Sequence, residues 1–146
     1  MIDDRLHEEK QVAKRVAING FGRIGRGYLR ASLSYPDVDV VAINDLTSPE
    51  MNAHLLKYDS TQGRLDVAVS VGPEEMTVGN RSIKVFAERD PQGLPWKELG
   101  VDVVIESTGH FTSRDGAAVH LAAGARKVII SAPAAKCTAA ASRLVK

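Results

Sequence analysis

Cysteine is nearly missing from this chain: there is one, Cys137, in 146 residues. A lone cysteine cannot make an internal disulfide framework, and it excludes a metal centre built from cysteines. Excess charge of either sign is missing too, with 19 Lys and Arg against 18 Asp and Glu and a formal net charge of +1. The basic residues are spread along the chain, so nothing points electrostatically to a nucleic-acid or membrane partner. No apolar run approaches the length that crosses a bilayer, and the charged start Met1–Lys10 lacks the apolar centre of a secretory signal. The cytoplasm is therefore the expected location. What remains is ordinary for a soluble globular protein, 44% hydrophobic and 25% charged. At this length the expectation is one domain, burying roughly two-thirds of its unfolded surface.

The informative stretch is Val16-Ala17-Ile18-Asn19-Gly20-Phe21-Gly22-Arg23-Ile24-Gly25. A short apolar strand runs into glycines spaced Gly20-x-Gly22-x-x-Gly25. A helical pattern follows, with Ile24 and Tyr28, then Leu29 and Leu33, each pair four apart. A second apolar strand, Val38–Asn44, ends on Asp45. Strand, glycine turn, helix, strand and acid together are the context of a dinucleotide fingerprint, not its glycines alone. The first glycine permits a sharp turn, the second lets a pyrophosphate approach the main chain, and the third lets helix and strand lie close. Amides at the helix start face the phosphates, backed by the helix dipole. A carboxylate at Asp45 accepts hydrogen bonds from the adenosine ribose and repels a 2′-phosphate, favouring NAD over NADP. The plainer alternative is a glycine-rich turn that binds nothing; the complete context removes most chance matches of that kind.

The rest of the chain continues in the same rhythm. Residues 1–14 are polar and read as an extension ahead of the first strand. Thr47-Ser48-Pro49-Glu50 marks a helix start, with Met51 and Leu55 expected on its buried stripe. Val67, Val69 and Val71 alternate with polar or small residues, a turn is expected at Val78–Arg81, and Ile83 and Val85 continue on a returning strand. This small antiparallel hairpin interrupts the βαβ order. Leu94–Gly100 reads as a short helix and Val101–Ile105 as a strand buried on both faces. A helix is expected from Thr112-Ser113 to Gly124, burying Ala117, Ala118, Leu121 and Ala122, and then a strand Lys127–Ile130. The fold expected is α/β, a Rossmann-type doubly wound, mostly parallel sheet with a small hairpin insertion. The strand ends Asn19-Gly20, Asn44-Asp45, Ser107-Thr108-Gly109 and Ser131 should line one crevice.

Taken together, Ile18–Arg26, Asn44-Asp45-Leu46, His54–Ser60, Glu88-Arg89-Asp90-Pro91, Glu106-Ser107-Thr108-Gly109 and Ile129–Pro133 resemble the coenzyme-binding half of phosphorylating glyceraldehyde-3-phosphate dehydrogenase. The likeness covers about residues 14–134. A sister family acting on erythrose 4-phosphate fits Asn44-Asp45-Leu46-Thr47 less well. The resemblance implies NAD as cofactor and no metal. The backbone around Gly22, Arg23 and Ile24 would hold the pyrophosphate, with Asn19, Gly20 and Gly25 in the same cofactor-binding turn and Asp45 on the ribose. Arg89 would lie at the adenine pocket through its main chain, Thr108, Gly109 and Phe111 along the cofactor, and Ser131 toward the nicotinamide. Plainer readings stand beside these: Arg89 and Asp90 as a solvated pair, Thr108-Gly109 as a strand-to-helix connection, and Ser131 as a strand end. His54 reads as a packed or surface histidine, and His110 as a loop residue with no partner in the sequence.

The family pattern continues with another strand, a loop carrying a nucleophilic cysteine, and a second domain with the histidine base and anion sites. In the full enzyme a thiolate attacks the aldehyde, hydride passes to NAD, and phosphate cleaves the thioester. Here Ala134–Lys146 departs from that pattern. Cys137-Thr138 comes too early and lacks the flanking Ser, Thr, Asn and second Cys, so no catalytic role is carried onto it. The expected organisation is an extension at 1–14, an NAD-binding domain at 15–134 and an atypical tail at 135–146. Catalysis is expected only where another chain or domain supplies it, with glyceraldehyde 3-phosphate a partner on that condition and a homotetramer the family assembly. An open sheet edge and exposed apolar surface are expected after the last strand. The rival reading is a free-standing NAD-binding module without turnover.

Overall fold

The computed structural model describes residues 12–132 and the short strand Leu144–Val145. The expected N-terminal extension up to residue 11, and the tail with Cys137 apart from that strand, lie outside the described residues. Strand β1 (Lys14–Asn19) begins one residue ahead of the expected domain start, because the Lys14 N–H already bonds Asp37 O at 2.8 Å. It leads through helix α1 (Arg23–Ser32) to strand β2 (Val38–Asn44). Helix α2 (Pro49–Lys57) follows, its Ser48 hydroxyl accepting from Met51 N–H and Pro49 filling the first helical position.

Two short strands, β3 (Tyr58–Asp59) and β4 (Gly63–Arg64), form a small antiparallel pair of their own. The Asp59 carboxylate closes its turn by accepting the Gln62 and Thr61 amides, which hold its pKa below the ordinary value. Strands β5 (Val69–Val71), β6 (Glu75–Val78) and β7 (Arg81–Phe86) then make a meander. The tight turn at Gly79-Asn80 falls where the residues require it. The expected hairpin is larger, however, since β6 adds a strand and β7 also pairs parallel with β2. The chain crosses to strand β8 (Val103–Glu106), helices α3 (Arg114–Ala117) and α4 (Val119–Ala122), and strand β9 (Lys127–Ile130).

The main sheet has eight strands in the order β10-β9-β8-β1-β2-β7-β6-β5, with β10 (Leu144–Val145) antiparallel on β9. The five strands from β9 to β7 are parallel. Strand order reverses at β1, which has β2 on one side and β8 on the other; such a switch point opens a crevice at the carboxyl ends. The edge beyond β9, expected to be open, is paired at Val128 and Ile129 by β10. Free N–H and C=O groups on an edge strand attract a partner strand, and here the chain's own tail supplies it.

Alternation along the strands builds a core on each face. Val16, Ile18, Val40 and Ile43 pack with Leu29, Leu56, Met76 and Ile83 on one side. Ala17, Ala42, Val104 and Val128 pack with Leu94, Trp96 and Ala117 on the other. Several expected burials move. Met51 is exposed, and α2 turns Asn52, Ala53 and Leu56 inward instead. Leu94–Gly100 is not a helix. A 3-10 turn at Pro91–Gly93 is followed by one further turn, which Val101 N–H to Trp96 O and Gly100 N–H to Lys97 O close with Gly100 at φ 60°. The expected helix 112–124 lapses at Ala118. Its ladder resumes at Leu121, whose N–H turns back three residues to Ala118 O, and it buries His120 while leaving Ala122 exposed.

The approach of α1 to β1 allows no side chain at Gly25, where a methyl would overlap the Gly20 carbonyl oxygen and come within 2.9 Å of Ile18 Cγ2. Gly25→Ala is therefore expected to lower stability by about 2–4 kcal/mol in urea unfolding. An unchanged midpoint would mean that α1 can slide away from the strand.

Candidate functional site

At the carboxyl ends of β1, β2, β7 and β8 lies a cleft of about 440 Å³. Asn19, Gly20 and Gly22 line it from the first turn, Asn44, Asp45 and Leu46 from the end of β2, and Glu88 and Arg89 from the loop after β7. Ser107, Thr108, His110 and Phe111 close the far wall.

The glycine turn is fixed by its neighbours. Gly20 sits at φ 90°, and a Cβ there would lie 2.6 Å from the Thr108 backbone nitrogen, so only glycine lets the two loops touch. Ser107 Oγ donates to Gly20 O at 2.6 Å, locking that contact. Phe21 buries its ring in the core and turns its N–H to Asp45 Oδ2 at 2.7 Å. At Gly22, by contrast, a Cβ would meet no protein atom within 4 Å and would take up cleft space. No side chain caps α1, and no acid lies in its first turn. Its positive end is therefore left for an anion. Asp45 Oδ1 accepts from Thr47 N–H at 2.8 Å, and its carboxylate keeps lone pairs for hydroxyl donors in the cleft.

Beneath the cleft runs a buried polar chain. Asn44 grips the Glu88 backbone with both ends of its amide, Nδ2 to O at 2.9 Å and N–H to Oδ1 at 2.8 Å. Asn44 Nδ2 also donates to Asn19 Oδ1, and Asn19 Nδ2 to Glu106 Oε2, each at 2.7 Å. His120 Nε2 lies 2.7 Å from the same Glu106 oxygen, and Trp96 Nε1 is 3.1 Å from His120 Nδ1. An indole N–H can only donate, so Nδ1 is the acceptor and Nε2 carries the ring proton, which it gives to Glu106. The imidazole is neutral in this arrangement. Glu106 Oε1 accepts from both N–H and Oγ1 of Thr108, at 2.8 and 2.5 Å. Burial pushes the Glu106 carboxyl up, but donors from His120, Asn19 and Thr108 outweigh it and hold the group ionised, below its ordinary value.

The residues expected in one crevice divide. Asn19, Gly20, Gly22, Asp45, Arg89, Thr108 and Phe111 line the cleft. Asn19 and Thr108 do so with their side chains already bonded inside the protein. Gly25 is buried below the turn, whereas Arg23 and Ile24 are exposed on α1 outside the cleft lining. Gly109 is outside the lining too, and Ser131 bonds Glu106 O from beside it, Oγ at 2.9 Å. Asp90, the partner in the plainer solvated-pair alternative for Arg89, accepts from Gln92 N–H and caps the 3-10 turn. His54 lies against Tyr58 with ring centroids 5.1 Å apart and planes tilted by 47°, whereas His110 lies on the cleft wall. Glu106 and His120 carried no role in the sequence reading. The available signal is an acid ending the apolar run Val103-Val104-Ile105, which once buried must find donors. Among the described residues, no group of three His, Cys, Asp or Glu side chains is placed to hold a metal ion, and no helix is long and apolar enough to cross a membrane.

A parallel sheet with a glycine turn, an uncapped helix start and an acid on the next strand defines a dinucleotide-binding α/β domain. Comparison with known proteins makes this specific. The family model for the NAD-binding domain of glyceraldehyde 3-phosphate dehydrogenase matches residues 14–114, more than half of the chain, and the chain belongs to that family. NAD is the cofactor of this domain. Over 123 residues the chain is 61% identical to glyceraldehyde-3-phosphate dehydrogenase of Geobacillus stearothermophilus and 58% identical to glyceraldehyde-3-phosphate dehydrogenase 1 of Bacillus subtilis. Each match covers 84% of this chain but only 37% of the relative. The enzyme of Kitasatospora aureofaciens is 59% identical over 121 residues, 82% of this chain and 36% of its own length.

The buried carboxylate makes a pH prediction. Because the folded pKa of Glu106 is depressed, its stabilising contribution is present above the ordinary glutamate range and is lost as pH falls through the folded value. Glu106→Gln, which sets an amide N–H₂ against existing donors, should cost about 2–4 kcal/mol at pH 7. It should also flatten the acid limb of a stability–pH curve measured by urea unfolding. An acid limb identical to the parent's would show that Glu106 is not held ionised by these donors.

Proposed function

We propose that this chain provides the cofactor-holding part of glyceraldehyde-3-phosphate dehydrogenase, the oxidative phosphorylation of glyceraldehyde 3-phosphate in glycolysis. No catalytic group is assigned among its described residues. NAD bound here would supply a hydride acceptor. Asp45 would take the adenosine ribose, the backbone of Gly22, Arg23 and Ile24 the pyrophosphate, and Arg89 the adenine side. Thr108, Gly109 and Phe111 would form the wall along the cofactor, with Ser131 toward the nicotinamide. The observation that carries the reading is the 2.7 Å bond between Phe21 N–H and Asp45 Oδ2, which joins the glycine turn to the Asp45 carboxylate on one rim. The empty space in front of Gly22, where a Cβ meets nothing, fits a pyrophosphate close to the main chain.

Glyceraldehyde 3-phosphate becomes a substrate only where a catalytic domain is supplied, in the cytoplasm and within the family's homotetramer. The second reading, NAD binding without turnover, separates from this one in an assay with glyceraldehyde 3-phosphate, phosphate and NAD. Turnover by the purified chain alone would refute this reading, in which no catalytic group is assigned among the described residues.

Calorimetry tests the seat. Asp45→Ala should weaken NAD binding about 10-fold and narrow the preference for NAD over NADP, and equal NAD affinity in variant and parent would remove Asp45 from the ribose. Gly22→Ala should leave the unfolding free energy within about 0.5 kcal/mol of the parent yet bind NAD more weakly. Unchanged affinity there would place the pyrophosphate elsewhere.

A further inference from the structure

Thr108 has its hydroxyl turned away from the cleft it lines. It donates to Glu106 Oε1, and the same oxygen atom of Thr108 accepts from His110 N–H at 3.1 Å. Three residues on from Thr108, the Phe111 ring meets His120 edge-on, with centroids 6.1 Å apart and planes at 73°. The wall loop is therefore fastened at one end to a carboxylate and at the other to an imidazole. That carboxylate and imidazole are themselves paired, and both side chains are buried. The other oxygen of Glu106 holds Asn19, whose residue floors the cleft, and Trp96 holds the imidazole from behind.

We propose that the buried Glu106–His120 pair is a positioning device for the cofactor cleft, setting the Thr108–Phe111 wall and the Asn19 floor in a single register. Glu106 does the orienting on both its oxygens. His120, with Nδ1 committed to Trp96, presents its Nε2 proton in one direction only. Neither residue touches the cofactor. Thr108 contributes a fastening to the protein rather than a hydroxyl donor to NAD. This rests on the reading that NAD occupies the cleft.

The test compares Thr108→Val, Thr108→Ser, Glu106→Gln and the double variant Glu106→Gln/Thr108→Val with the parent in the full chain. NAD affinity is measured by calorimetry and the exchange protection of the His110 amide by NMR. Thr108→Val should raise the NAD Kd about 10-fold, the size of one lost bond to a charged group. Thr108→Ser, which keeps the hydroxyl, should stay within about 3-fold of the parent and retain His110 protection. The double variant should be weaker than the parent by less than the product of the two single effects, because both break one contact. Equal Kd values for the Val and Ser variants, or full additivity, would overturn the proposal, as would a folded Glu106→Gln with parental affinity. Should Glu106→Gln fail to fold, the Val and Ser pair decides. Should the parent itself not bind NAD, the cofactor seat is refuted and the exchange data decide the pair. His110 protection lost in Thr108→Val and kept in Thr108→Ser upholds it, and no difference between them overturns it.

Discussion

The carboxylate of Glu106 is the point on which the upper end of this sheet depends. It stands at the last residue of β8, next to β1 and out of contact with water, and it accepts from four groups on three different elements. An ionised acid in a protein interior is tolerable only when its lone pairs are filled. Filling them requires Asn19 at the end of β1, His120 on α4 and the Thr108 loop to hold their places together. Because Asn19 is in turn bonded to Asn44, and Asn44 to the Glu88 backbone, the requirement extends across the sheet from Trp96 to the loop after β7. A partly satisfied network of this kind is worse than an apolar one, so its completeness makes the arrangement of strand ends unique.

Architecture and site meet at β1. It is the first strand in sequence, but it lies in the interior of the sheet because the chain winds outward on one side through β2 and β7 and on the other through β8 and β9. That reversal leaves the end of β1 without a crossover above it, and the glycine turn occupies the gap. Each glycine there meets a different spatial demand. Gly20 touches the Thr108 backbone, Gly25 lies on the Gly20 carbonyl, and Gly22 faces open space. One six-residue glycine pattern thus serves loop contact, helix packing and an exposed main chain at once.

Much of this is legible in the amino-acid sequence. Largely apolar runs such as Val101–Ile105, broken only by Asp102, cap residues such as Ser48 and Ser113, and the glycine spacing each have local physical causes, and the elements they imply are present. What was not legible depends on contacts between distant residues. Leu94–Gly100 has helix-like ends, but Gly100 closes it after a single turn. Two-residue strands such as β3 and β4 are too short to leave a periodic signal. Ile24 and Met51 fit an apolar stripe, yet they fall on faces that nothing in this domain covers. His120 sits among alanines on an amphipathic stretch, where a histidine suggests a surface. Its burial follows from Trp96 and Glu106, 24 and 14 residues earlier. The crevice at the strand ends was foreseeable from topology, whereas the committed side chains of Asn19 and Thr108 beneath it were not.

The bond from Phe21 to Asp45 has a bearing on how such a domain could be retooled for another nucleotide. The acid that would face the sugar also anchors the backbone that would face the phosphates, so the two recognition sites form one mechanical unit. Removing the acid to admit a phosphorylated sugar loosens the loop at the same stroke. Altered nucleotide preference is therefore a two-part design problem, needing a new cation for the extra phosphate and a new acceptor for the orphaned Phe21 amide.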